Sequence, residues 1–104
     1  ILAAIAIPQF SAYRKRGYAA TLNSDAKNAY TAAMATIADD PALTTITVAN
    51  LQSAGYQAST GVTPTIAFTD LNSFLVTVTG TTAWSLATNF ATINAAGTLT
   101  KAVP

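Results

Sequence analysis

Cysteine, histidine and glutamate are all missing from this chain of 104 residues. Without cysteine there is no disulfide to staple a small fold and no thiolate nucleophile. Without histidine the usual general base near neutral pH is absent. Charge is scarce too: charged residues make up 9% of the chain, against about 25% in ordinary soluble domains. Five Lys and Arg face four Asp, so the net charge is +1. No strong field is available to steer nucleic acid or acidic ligands. No Asn-x-Ser/Thr sequon occurs either. Together these absences argue against an enzyme, and against any bound metal or cofactor.

What the chain does have is apolar and small. Hydrophobic residues account for 51% of it, enough for the core of one domain. Ala is abundant, and roughly a quarter of the positions are Ser or Thr. Such a composition suits a threonine-rich sheet with a polar, nearly uncharged surface; O-glycosylation of an extracellular face is a second reading of the same residues.

The run Ile1-Leu2-Ala3-Ala4-Ile5-Ala6-Ile7-Pro8 is bare hydrocarbon. It must be buried, by lipid or by other copies of the chain. Spanning a bilayer takes roughly 20 apolar residues, more than twice what this run supplies. The expectation is therefore the second part of a longer hydrophobic helix. Below it lies the one charge run, Arg14-Lys15-Arg16. There long side chains can snorkel to a headgroup layer or pair with acids of a neighbouring subunit. Three consecutive cations point around a helix instead of forming one broad patch, which argues against nucleic acid.

These residues also carry a family resemblance. Ile1 through Phe10, with Tyr13 and the basic residues after it, resembles the second half of the N-terminal segment of bacterial type IV pilins. The similarity is close over residues 1–20; beyond them only the layout of elements agrees. It does not separate pilins from the pseudopilins of type II secretion. The family's processing site, methylated first residue and buried glutamate all lie upstream of Ile1. The resemblance implies a pilin fold of α+β class, in which a long kinked N-terminal helix packs on a three- to four-stranded antiparallel sheet. It implies a homo-oligomeric helical filament outside the cell, held in the inner membrane before the pilus machinery assembles it. It also implies that residues 1–8 can lose helical form inside a filament. Type II pseudopilins often hold calcium in an acidic C-terminal loop, a pattern not visible here. Many pilins close a C-terminal disulfide, which this chain lacks.

The resulting assembly surface comprises Ile1, Leu2, Ile5, Ile7, Pro8, Phe10, Tyr13, Arg14, Lys15, Arg16 and Tyr18. Leu2, Ile5, Ile7 and Phe10 supply apolar contacts, Pro8 and Gly17 the bend, and the cations pair at the edge of the filament core. In related pilins, aromatics at the positions of Phe10, Tyr13 and Tyr18 have been proposed as an electron path; interface packing explains the same residues. A third arrangement, a single-pass membrane protein with a periplasmic binding domain, needs no polymer.

Periodicity places the remaining elements. Residues 1–38 read as one helix, with 1–20 for assembly or membrane and 21–38 packed on the sheet; residues 39–104 form the head. Leu22, Ala26, Ala29, Tyr30, Ala33, Met34 and Ile37 recur at three and four and mark the inward stripe. Thr21, Asp25, Lys27, Asn28 and Thr31 fall on the solvent side. Asp39-Asp40-Pro41 ends the helix, and two acids against the macrodipole predict a frayed or propped end. Those acids could hold a hard cation, but a solvated helix end accounts for them. Thr47 caps a short helix that Gly55 stops, with Val48, Leu51 and Ala54 inward. From Tyr56 the period becomes two. Ile66 and Phe68 form one strand, Asp70-Leu71-Asn72-Ser73 a turn, and Phe74, Val76 and Val78 the return strand. Phe90 and Ile93 have opposite parity, which leaves open which faces the core. Asn94 to Gly97 turn the chain into Thr98–Ala102, and Trp84 pins the connection between hairpins or meets another subunit.

Overall fold

The computed structural model describes the backbone of residues 2–104 and the side chains of residues 10–104. Its architecture is α+β: one long helix, α1 (Leu2–Asp39), lies on a four-stranded antiparallel sheet. Between them comes the short α2 (Val48–Ser53). The strands β1 (Val62–Asp70), β2 (Ser73–Gly80), β3 (Phe90–Asn94) and β4 (Leu99–Thr100) form a meander in the order β1-β2-β3-β4. The molecule measures 62 × 21 × 18 Å, a length set by α1 at about 1.5 Å per residue.

Abundant Ala, with Leu, Lys and Arg, favours helix over α1, and Pro8 and Gly17 are its strongest potential breaks. The helical backbone runs unbroken through both residues. A Cβ at Gly17 would meet nothing within 4 Å, so no neighbour demands a glycine there. Threonines within the helix turn their hydroxyls back on the preceding turn: Thr21 donates to the Gly17 carbonyl, Thr31 to Lys27 and Thr36 to Ala32. The helix end is propped instead of frayed. Asp40 N–H donates to Thr36, the Leu43 N–H donates to the Asp40 carbonyl, and the Asp40 carboxylate accepts from the Ala42 N–H.

The buried face of α1 is built mostly from alanine. Ala19, Leu22, Ala26, Ala29, Ala32 and Ala33 all lie in the core. Small side chains let the helix backbone approach the sheet, which fills the gap with Phe74, Val76, Val78, Ala91 and Ile93. Three expectations are corrected here. Met34 is exposed, because it sits one step around the helix from buried Ala33. Ala54 is exposed at the end of α2, while Leu51 and the preceding Ile46 go into the core. Asp25, placed on the solvent side by residue type, is buried at 4% exposure.

Asp25 is accommodated because Ser59 meets it with two donors. The Ser59 N–H and hydroxyl donate to its two carboxylate oxygens at 2.9 and 2.8 Å. Such charge-assisted bonds replace the lost water. The nearby Tyr56 hydroxyl is buried without a hydrogen-bond partner among the described residues. Burial, and secondarily the Asp25 carboxylate, pushes the Tyr56 phenol up from 10.0 to about 12. A second tie joins helix to C-terminus, where the Ala102 N–H donates to the Asn23 side chain at 2.8 Å.

Thr47 caps α2 in a reciprocal box. Its hydroxyl accepts from the Asn50 N–H, while the Asn50 side chain accepts from the Thr47 N–H. Gly55 follows in the left-handed region at φ 108°. In β3 the parity question resolves in favour of Ile93. Ile93 and Ala91 face the helix, and Phe90 is exposed. The sheet's outer face carries an uninterrupted cross-strand row, Thr65–Thr77–Thr92–Thr100, one residue from each strand.

Candidate assembly surface at the helix neck

The neck is where α1 leaves the head. Tyr18 ties it to the sheet domain: its ring stacks on Trp84 with centroids 4.6 Å apart and planes 3° from parallel. Ala19 is buried immediately afterwards. Packing on the head thus reaches into the segment assigned to assembly from sequence. Tyr18 packs within its own chain, and the face of its ring on Trp84 is unavailable to a neighbour. Trp84 follows from its loop: Thr82–Trp84 form one 3₁₀ turn, and Ser85 closes it in the left-handed region at φ 53°.

Two glycines also lie close against the Trp84 indole. A Cβ built on Gly61 would lie 2.9 Å from the indole, and one on Gly80 would lie 2.5 Å from it and 2.5 Å from the Asn89 side-chain oxygen. The Asn89 amide also donates to the Gly80 and Thr81 carbonyls. Helix, indole and sheet are thereby locked in one sandwich. Gly80→Ala should therefore cost about 1–3 kcal/mol through overpacking. It should also shift the emission of the single Trp, and a denaturation midpoint measured by that emission checks both. An unchanged midpoint would contradict the sandwich.

Beyond Tyr18 the helix presents its candidate residues outward. Phe10 and Tyr13 are 64% and 75% exposed. Arg14 lies against two rings, its guanidinium 5.9 Å from the Phe10 centroid and 5.8 Å from that of Tyr18, and it donates to the Tyr18 hydroxyl at 3.0 Å. Arg14 and Arg16 are exposed and Lys15 is half-buried. A shallow cleft of about 250 Å³ lies between Arg14, Lys15 and the Trp84–Ser85 loop. The side chains of Ile1, Leu2, Ile5, Ile7 and Pro8 lie outside the described residues.

The structure therefore brings Phe10, Arg14 and Tyr18 together along one helical edge. Sequence reasoning missed Trp84 as Tyr18's partner; nothing local pairs two residues 66 positions apart. Among the described residues, no group of three metal-ligating side chains occurs, and no helix is long and apolar enough to cross a membrane. No known family, curated protein or solved structure matches the chain.

Proposed function

We propose that this chain is a structural subunit that polymerises into an extracellular filament of the type IV pilin kind. Its apolar stem would hold it in the inner membrane until the assembly machinery adds it to the fibre. One observation carries the reading: the contrast along α1. From Tyr18 onward the helix is covered by its own sheet, while Phe10 and Tyr13 are large, apolar-bodied and exposed. The sequence from Ile1 to Pro8 offers only more hydrocarbon. Copies packed stem to stem supply the missing cover. A contact that repeats head to tail without closing generates a helical polymer. The long helix on an antiparallel sheet is compatible with a pilin-like fold.

The test is direct. Surface material sheared from cells that make the subunit should contain fibres, visible by electron microscopy, with this chain as their main polypeptide. A full subunit that stays monomeric in water, its stem folded against its own sheet, would overturn the assignment.

A further inference from the structure

Lys27 lies in mid-helix and Lys101 near the C-terminus; the other exposed charges of α1 gather at its two ends. Arg14, Lys15 and Arg16 sit at the neck; Asp39 and Asp40 sit at the far end of the same helix. Of the other two acids, Asp25 is buried and held by Ser59, and Asp70 accepts from the Asn72 N–H in the β1–β2 turn. Arg16 and Asp39 are both exposed, and 23 positions of one helix separate them, roughly 35 Å along the axis at 1.5 Å per residue. At about 100° per residue they also point to sides of the helix some 140° apart. They can never meet within one chain.

Two parallel copies, side by side and shifted by that same length, do bring them together. We propose that Arg16 of one copy pairs with Asp39 of the next, fixing the axial stagger of neighbouring subunits at about 35 Å, the rise of 23 helical residues. The occupant of the neck is thus a second copy of this chain, a proposal that rests on the filament reading above. The same shift sets Ala12 of one copy level with Ala35 of its neighbour, and both are exposed. Two such small residues let the helix backbones come close enough for the ion pair to form. Complementary charges at such a contact choose register and reject misaligned neighbours. Asp39 sits in the last turn of α1, where the dipole's negative end adds to its attraction for a cation.

The test is a charge swap in the full subunit, with wild-type cells as the reference for fibre yield. Arg16→Glu and Asp39→Arg should each cut sheared fibre by about tenfold or more, since like charges then face one another across the seam. The double swap should restore most of it. Because both residues are exposed, circular dichroism of each variant should keep its helix and sheet signals. The chain has no cysteine, which permits a second measurement on fibres. Arg16→Cys combined with Asp39→Cys should give a ladder of multimers with a short bis-maleimide, and neither single variant should. Fibres that persist in both single swaps, or loss that the double swap does not repair, or no ladder, would overturn the pairing while the filament reading stands. Absence of fibres from the wild type would instead defeat the filament reading itself.

Discussion

Ile5→Asp is expected to abolish fibres while leaving the head folded. In the proposed filament, burying each large apolar side chain of the stem would contribute roughly 1.5–3 kcal/mol, and several in series would hold a polymer without covalent links. A carboxylate at position 5 would forfeit one of these contributions. It would also place a charge with no partner in an apolar seam, a penalty of several kcal/mol for an unpaired ion. The head does not sense the change. Tyr18, which stacks on the head's Trp84, lies some 20 Å up the helix from position 5 at 1.5 Å per residue. Fibre yield by electron microscopy and head unfolding by near-ultraviolet dichroism separate the two effects. Intact fibres in this variant would remove the stem from the assembly seam.

The second large effect belongs to the head. Asp25→Ala strips both Ser59 donors of their acceptor beside the core, where Asp25 is buried and Ser59 half-buried. A buried donor left without a partner costs about 1–3 kcal/mol, and the half-buried Ser59 places the loss at about 1–3 kcal/mol in total. For a domain of this size that lowers the melting temperature by about 5 °C or more. Asp25→Asn keeps one acceptor and should lose less. Tyr56 provides an independent readout. The unfolded chain ionises this phenol near 10.0, whereas the fold holds its proton to about 12. Stability should therefore be level below pH 10 and fall as pH rises through that interval, because only the unfolded state gains from ionisation there. Since the Asp25 carboxylate is part of what holds the proton, Asp25→Asn should bring tyrosinate absorbance in at lower pH. An alkaline titration identical to wild type would show that the carboxylate does not act on Tyr56.

Much of the architecture was legible in the residues because each piece is written locally. Thr47 and Asn50 announce the cap of α2, and Phe74, Val76 and Val78 announce a strand with one dry face. Asp25 was misplaced by judging residue type above spacing. It stands three residues after Leu22 and four before Ala29, on the inward stripe, and only Ser59 makes that position tenable. Met34 was misplaced for the opposite reason. Alanine is too small to mark a face, so a helix with Ala at 26, 29, 32, 33, 35 and 38 leaves the stripe's edge undefined. The parity of β3 depended on its register against Val76 and Val78, which no local pattern contains. Of the candidate assembly residues, Phe10 and Tyr13 are exposed. Tyr18 departs from them because a distant Trp takes its face.

The cross-strand row of Thr65, Thr77, Thr92 and Thr100 gives the subunit's outer wall a particular chemical temperament. Its hydroxyls neither gain nor lose protons across the range in which cells live, and they attract no counterion cloud. A fibre clad in such walls would meet acid, alkali or brine with the same skin. What the surroundings could still loosen is the stacking of one subunit on another.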